Sequence, residues 1–337
     1  MTEKIRWGIL GAANIAIKKV IPAMQNGKFC EITAIASRNF EKAKRAANDL
    51  NIPKFYGSYE DLIKDLEIEA VYIPLPNHLH VEWSAKAANA GKHVLCEKPI
   101  ALNAAEVCRL IEVRNRTGVK IQEAFMVRTH PQWLKVRDLI REERIGNLQA
   151  ITGFFSYFND DKSNIRNKPE MGGGALMDIG CYCVNIARFI FADEPRKVSA
   201  FIERNSETKI DKLTSAMLDF PSGQATFTCS TQLAPFQRMQ FFGEKGRIEI
   251  EIPFNIPPET STRIFIDDGA DLYGANAETI EIPAANQYTI QGDLFSRAIL
   301  ENTEQAISLE DSLANMAVID AIFRAAESKF FESPETL

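Results

Sequence analysis

Glu97-Lys98-Pro99 ends an apolar run in the stretch LCEKPIALN, and much further along Asp178 and Tyr182 stand at i and i+4 behind three consecutive glycines in GGGALMDIGCY. A lysine ammonium can bond a substrate oxygen, and its charge or partial burial suits it to proton transfer. A helix beginning after those glycines would show Asp178 and Tyr182 on one face. The plainer alternatives are a surface lysine at a strand end, a glycine loop, an aspartate supporting a helix start and a core tyrosine. Both readings stand on these residues alone.

A separate signal, WGILGAANIA, lies near the amino terminus. In the dinucleotide fingerprint G-x-G-x-x-G/A, the first position makes a tight turn, the second admits the pyrophosphate and the third packs helix on strand. Here those positions are Gly11, Ala13 and Ala16, and helix amides beginning near Asn14 and Ile15 would point at an anion. The ribose is usually read at the end of the second strand, which here runs Ala36-Ser37-Arg38-Asn39 with no carboxylate until Glu41. A basic residue there accommodates a 2'-phosphate, so NADP is expected and NAD remains possible. The competing reading makes Ser37 a helix cap and Arg38 a solvated charge.

For these groups to meet a ligand, the strands that carry them must end at one edge. IRWGIL (5–10), CEITAIAS (30–37), AVYIPLP (70–76), KHVLCE (92–97) and VKIQEAF (119–125) are short and apolar. They alternate with helical patterns at 14–26, 39–50, from Ser58-Tyr-Glu-Asp61, and at 78–90. This grammar means a Rossmann-type doubly wound parallel sheet, whose ligand crevice lies beyond the carboxyl ends of the strands. Gly11, Ala13, Asn14, Ile15, Ser37, Arg38, Pro74, Leu75, Asn77, His80, Glu97 and Lys98 fall at those ends and are the expected cofactor-binding residues. The proline stops the strand and favours an extended Lys98.

After about Phe125 the grammar changes. A helix (130–144) and a long loop (159–171) lead to the glycine stretch, and then KVSAFIER, KLTSAMLDF, GQATFTCSTQL, RMQFFGEKGRIEIEI, TRIFIDD and ETIEIPA follow with short turns between them. That pattern predicts a large, mostly antiparallel open sheet, closed by helices at 289–301 and 308–328. The expected division is a dinucleotide-binding domain over 1–124 and a substrate-binding and oligomerisation domain over 125–337. Apolar strand residues such as Phe227, Met239 and Phe241 suggest a sheet face left for a partner copy, hence a homodimer or a dimer of dimers.

Composition narrows the partners. The chain has 337 residues, 45% hydrophobic and 25% charged, with a formal charge of -6 and no long block of one sign. That leaves no electrostatic footprint for nucleic acid or an anionic membrane. The amino terminus lacks the continuous apolar core of a signal peptide. ALMDIGCYCVNIARFIFA, the most apolar stretch, carries Asp178, Asn185 and Arg188, which reads against a membrane span. Six scattered cysteines form neither a disulfide framework nor zinc-site spacing, so no metal is expected and a reducing cytoplasm fits.

GILGAANIA, LPNHLH, AGKHVLCEKPIALN, EAFMVRTHPQW and GGGALMDIGCY, in this order over nearly the whole chain, resemble the Gfo/Idh/MocA oxidoreductases. Within that family DIGCY is similar to the branch of dimeric dihydrodiol dehydrogenase, glucose-fructose oxidoreductase and NADP-dependent aldose dehydrogenases. The resemblance implies NAD(P)-dependent hydride transfer at a carbinol or carbonyl carbon of a sugar, sugar derivative or trans-dihydrodiol. It maps an active-site lysine onto Lys98. Tyr182 would then be the acid/base, assisted by the Lys98 charge, and Asp178 would orient Lys98 or a second hydroxyl. Two alternatives share the fold, a non-catalytic dinucleotide-sensing regulator and a redox-neutral, NAD-using glycosidase.

Overall fold

The computed structural model describes residues 3–271 and 273–335. The chain divides into two compact units, Met1–Met126 with Asn286–Leu313, and Val127–Ala285 with Ala314–Leu337.

The first unit is built on six parallel strands, β1 (Ile5–Leu10), β2 (Cys30–Ala36), β3 (Lys54–Tyr56), β4 (Ala70–Ile73), β5 (His93–Cys96) and β6 (Ile121–Glu123), in the order β3-β2-β1-β4-β5-β6. Every residue of β4 is buried, and β1 is buried but for Arg6, as strands covered on both faces must be. The helices between them start where side chains can serve their first amides. Asn39 accepts from Lys42 N at 3.0 Å, Ser58 from Asp61 N at 3.1 Å and Asn103 from Glu106 N at 3.0 Å. The last of these caps helix Ala104–Thr117, which the sequence reading passed over although Gly118, at φ 72°, marks its end.

The core of this unit is completed from the far end of the chain. Helix Gln287–Leu300 brings Phe295 against Trp7, ring centroids 5.8 Å apart, and Ser296 Oγ accepts from the indole N–H of Trp7 at 3.0 Å. A boundary at 124/125 assigns all that follows to the second domain, whereas Asn286–Leu313 belongs with the first unit. The reason is the exposed apolar patch that β1, β2 and the first helix leave around Trp7, Met24 and Cys30, which the local sequence cannot cover.

The second unit holds eight strands, β7 (Leu148–Phe158), β8 (Lys197–Arg204), β9 (Asp211–Phe220), β10 (Gly223–Ser230), β11 (Gln232–Gly243), β12 (Gly246–Ile250), β13 (Thr262–Asp267) and β14 (Glu278–Ile282). Their order is β14-β13-β12-β11-β7-β10-β9-β8, antiparallel except where β7 and β10 run parallel. The central β7 is absent from the sequence reading, because LQAITGFFSYF alternates poorly. Phe227, Met239 and Phe241 are 5%, 1% and 0% exposed and lie on the covered face, not on an open one. The alternation of register puts the other set outward, including Phe201 (87% exposed), Met217 (41%) and Phe236 (49%) among threonines and charged residues. Pro169–Phe191 is long and apolar enough to cross a bilayer, yet it is mostly buried inside the protein. Its helical part, Leu176–Phe191, lies in the core of this unit.

His93, at the start of β5, accepts the Lys120 amide proton on Nδ1 at 2.9 Å. Burial, with the nearby Lys120 charge, pulls its pKa down to about 4. The unfolded chain takes up that proton near pH 6.5 and the folded one resists it, so stability is full above pH 6.5 and is lost as pH falls towards 4, by at most about 3 kcal/mol. Denaturant unfolding at pH 7 and pH 5 should show this slope, and His93→Gln should reduce it by the share of this one histidine.

Candidate active site

In the first unit, strand register decides which residues share the carboxyl edge of the sheet. Leu10 pairs with Ala36, and Gly11 N donates to Ala36 O at 3.0 Å, so the glycine turn and Ser37-Arg38 are neighbours. Ile9 pairs with Tyr72, which brings Pro74-Leu75 beside the same turn. Ile73 pairs with Cys96, and Glu97 N donates to Ile73 O at 3.1 Å. The rim therefore runs Ser37, Gly11, Pro74-Leu75, Glu97-Lys98.

Gly11 has φ +127°, and a Cβ placed on it would meet Leu75 Cδ2 at 3.0 Å, so the turn admits glycine alone. Ile17 N donates to Ala13 O at 3.0 Å, opening the helix, and the amides of Asn14 and Ile15 come ahead of that bond, at the end where an anion is favoured. Ala16 is fully buried in the core, the role expected of the third fingerprint position. Asn39, not Ser37, caps the following helix, while Ser37 Oγ accepts from Asn39 N at 3.2 Å. Arg38 is exposed and its guanidinium faces the Tyr59 hydroxyl, whose pKa burial raises against the pull of that charge.

Lys98 is half-buried, and the peptide bond to Pro99 is cis. The loop it stands on is gripped from two sides. His80 is fully buried, with Nδ1 2.8 Å from Pro99 O and Nε2 2.7 Å from Leu75 O. Burial holds its pKa down to about 4 despite those two carbonyls. A backbone carbonyl stands against each ring nitrogen and the neutral ring donates to one of them, so His80 braces the rim, a different task from the cofactor contact expected of it. Glu123, also fully buried, accepts from Ile100 N at 2.9 Å. Glu97 accepts from the Tyr72 hydroxyl, and Tyr288 lies close enough for the Glu97 charge to add to the burial that raises its pKa. Asn77 opens a short 3-10 turn that leads into helix His80–Asn89.

In the second unit, Leu176–Gly180 winds as a π turn that runs straight into helix Cys181–Phe191. Phe155 and Tyr157, two apart on β7, present one strand face to it. The Tyr182 ring lies on Phe155, centroids 6.0 Å apart, and on Phe254 at 5.3 Å. Asp178 takes the Tyr157 hydroxyl and, at 2.9 Å, Arg166 Nε. Its side chain is 13% exposed. Burial, then the charge of Asp178, pushes the Tyr157 pKa up, which keeps that hydroxyl a donor. The structure thus places Asp178 and Tyr182 over one strand and gives the carboxylate two donors. Tyr157 and Arg166 were missed in the sequence, being a half-buried strand residue and one arginine of an irregular loop. His130 caps helix Pro131–Arg141, its Nδ1 accepting from Gln132 N at 3.2 Å.

Among the described residues no group of three or more His, Cys, Asp or Glu side chains gathers as a metal site. None of the six cysteines is in a disulfide. The first unit's rim fits a dinucleotide by its φ +127° glycine turn and helix opening, and the second offers a positioned carboxylate and a tyrosine.

Comparison with known proteins agrees with this division of labour. Residues 5–125 match the model of an oxidoreductase family with an NAD-binding Rossmann fold, and residues 133–249 match the GFO/IDH/MocA C-terminal domain. The chain is 48% identical over 332 residues to an uncharacterized oxidoreductase, ORF334, of Rhizobium meliloti, covering 98% of this chain and 99% of the relative. It is 36% identical to a D-xylose 1-dehydrogenase (NADP(+)) of Haloferax volcanii, over 96% of this chain and 97% of that one. Among solved structures, the 3-ketoreductase KijD10 of Actinomadura kijaniata, in complex with NADP and TDP-benzene, superimposes with a TM-score of 0.90 at 30% identity, covering 96% of this chain and 98% of that one. The chain belongs to the GFO/IDH/MocA family, and it is an oxidoreductase whose first unit is an NAD-binding Rossmann domain.

Proposed function

We propose that this enzyme transfers hydride between NADP and the carbinol or carbonyl carbon of a sugar, sugar derivative or diol, with Tyr182 as general acid/base. The observation that carries the reading is the Tyr157-Asp178-Arg166 cluster, whose carboxylate precedes Tyr182 on the same helix. A carboxylate with two donors aimed at one of its oxygens is fixed in place, and a carboxylate fixed beside an acid/base can orient a substrate hydroxyl. Adjacent hydroxyls mark sugars and dihydrodiols alike, and the relatives with these activities support that class.

The dinucleotide supplies the hydride acceptor or donor when bound. Gly11, Ala13, Asn14 and Ile15 would approach its pyrophosphate, and Pro74, Leu75, Asn77 and Glu97 would line the remaining rim. Arg38, beside Tyr59 and with no carboxylate at the end of β2, would take the 2'-phosphate, which favours NADP over NAD. Tyr182 accepts the proton of the reacting hydroxyl in oxidation and returns it in reduction. Lys98 contributes a positive charge that stabilises the oxygen as its proton leaves.

Residues 127–285 serve as the substrate-binding unit in this reading. Its outward sheet face, with Phe201, Met217 and Phe236, is the surface for a second copy, and six cysteines outside any disulfide suit a reducing cytoplasm.

Tyr182→Phe should lower kcat by roughly 10² to 10⁴-fold on the best sugar or diol found by following NADPH absorbance, with cofactor binding intact. Near-normal turnover would make Tyr182 a packing residue. Lys98→Ala should cost a comparable factor, and a double variant far from additive would show that the two serve one step. Arg38→Ala should weaken NADP by ~1.5 to 3 kcal/mol in a binding titration while leaving NAD nearly untouched. Light scattering at micromolar concentration should report a dimer or tetramer, and Phe201→Glu should shift it towards monomer.

A further inference from the structure

Asp211 is the first residue of β9 and is 2% exposed, yet it belongs to neither the cofactor rim nor the substrate cluster. A buried carboxylate is costly unless its oxygens are engaged, so its surroundings are informative. One oxygen, Oδ2, accepts from Leu176 N at 2.6 Å and from Thr214 Oγ1 at 3.0 Å. Leu176 is the first residue of the π turn that carries Asp178. The other oxygen faces Gly174, where an added Cβ would fall 1.8 Å from it, and Gly174 has φ +122°. Asp178 N in turn donates to Gly174 O at 3.1 Å, and Gly174 N donates to Arg166 O at 2.9 Å. Arg166 is the residue whose Nε reaches Asp178.

We propose that Asp211 is a positioning residue, which sets the helix bearing Asp178 and Tyr182 in place by holding its first amide and the glycine turn before it. The inference rests on the reading of that helix as the catalytic one. A carboxylate at a helix start meets the positive end of the helix dipole, so its charge and its hydrogen bond act in the same direction. Burial raises its pKa to about 6, opposed by the Leu176 amide and the Thr214 hydroxyl. The charged and titratable groups that face it are Arg204 on β8, its register partner, and Cys229 on β10. Gly174 is needed twice over, for its positive φ and for the space the carboxylate occupies. A closed chain of contacts results, from Asp211 through Gly174 and Arg166 to Asp178, and back along the helix to Leu176.

The test compares wild type, Asp211→Ala and Asp211→Asn as full-length proteins, by steady-state kinetics with NADP and by amide hydrogen exchange. In Asp211→Ala, peptides covering 174–182 should exchange at least tenfold faster while those of the first unit do not change. Its kcat should fall 10- to 100-fold with the KM for NADP unaltered. Asp211→Asn keeps an acceptor for Leu176 N and should recover much of both losses. If Asp211→Ala does not fold, Asp211→Asn and Thr214→Val carry the test, each expected to give a smaller change of the same kind. Unchanged exchange over 174–182 in a folded Ala variant overturns the positioning role. Faster exchange there with an unchanged kcat overturns instead the reading of this helix as catalytic.

Discussion

A parallel sheet buried on both faces has only its ends to offer a ligand, and that constraint organises the first unit. Each of the β1, β2, β4 and β5 strands is occupied along its length by core packing, so chemistry is confined to the residue or two after its last ladder bond. The register then does the selecting. Because Leu10 faces Ala36 and Ile73 faces Cys96, the glycine turn, Ser37-Arg38 and Glu97-Lys98 come out level although they are scattered through the sequence. What surrounds them is mostly bracing. His80 and Glu123 hold the loop after Lys98 by its backbone.

The second unit solves a different problem, that of presenting two polar groups from the most apolar helix in the protein. It does so by laying the helix on one strand face. Phe155 meets the Tyr182 ring and Tyr157, one pleat further, meets the Asp178 carboxylate. The π turn at Leu176–Gly180 belongs to the same region, and π turns, rare in general, fall frequently at functional sites.

Strand-turn-helix at Gly11 and the Lys98 strand end were legible in the sequence because each is a local pattern: a period, a punctuating glycine or a proline. The i, i+4 pair Asp178 and Tyr182 was legible for the same reason. Tyr157, Arg166 and Asp211 were not, because their meaning is a tertiary pairing that no spacing encodes. β7 was lost by weak alternation, and with it the centre of the second sheet. Helix Ala104–Thr117 is a different miss, since Asn103, Glu106 and Gly118 announced it in plain terms. The open sheet face was expected on Phe227, Met239 and Phe241, and a face is a matter of parity. Reading the alternation one residue out sends every side chain to the wrong side.

The helix that carries Phe295 and Ser296 to Trp7 has a consequence for how the protein is made. A ribosome releases the strands of the Rossmann unit first, yet Trp7, Met24 and Cys30 wait for residues synthesised nearly three hundred positions later. During that interval the nascent unit carries an apolar patch with its last layer missing, a state in which large chains recruit chaperones or aggregate. Asn286–Leu313 is therefore as much a part of the nucleotide-binding core as the fingerprint at the start. A fragment ending at the end of the parallel sheet would keep every signature of a dinucleotide domain and lack the means to stay folded.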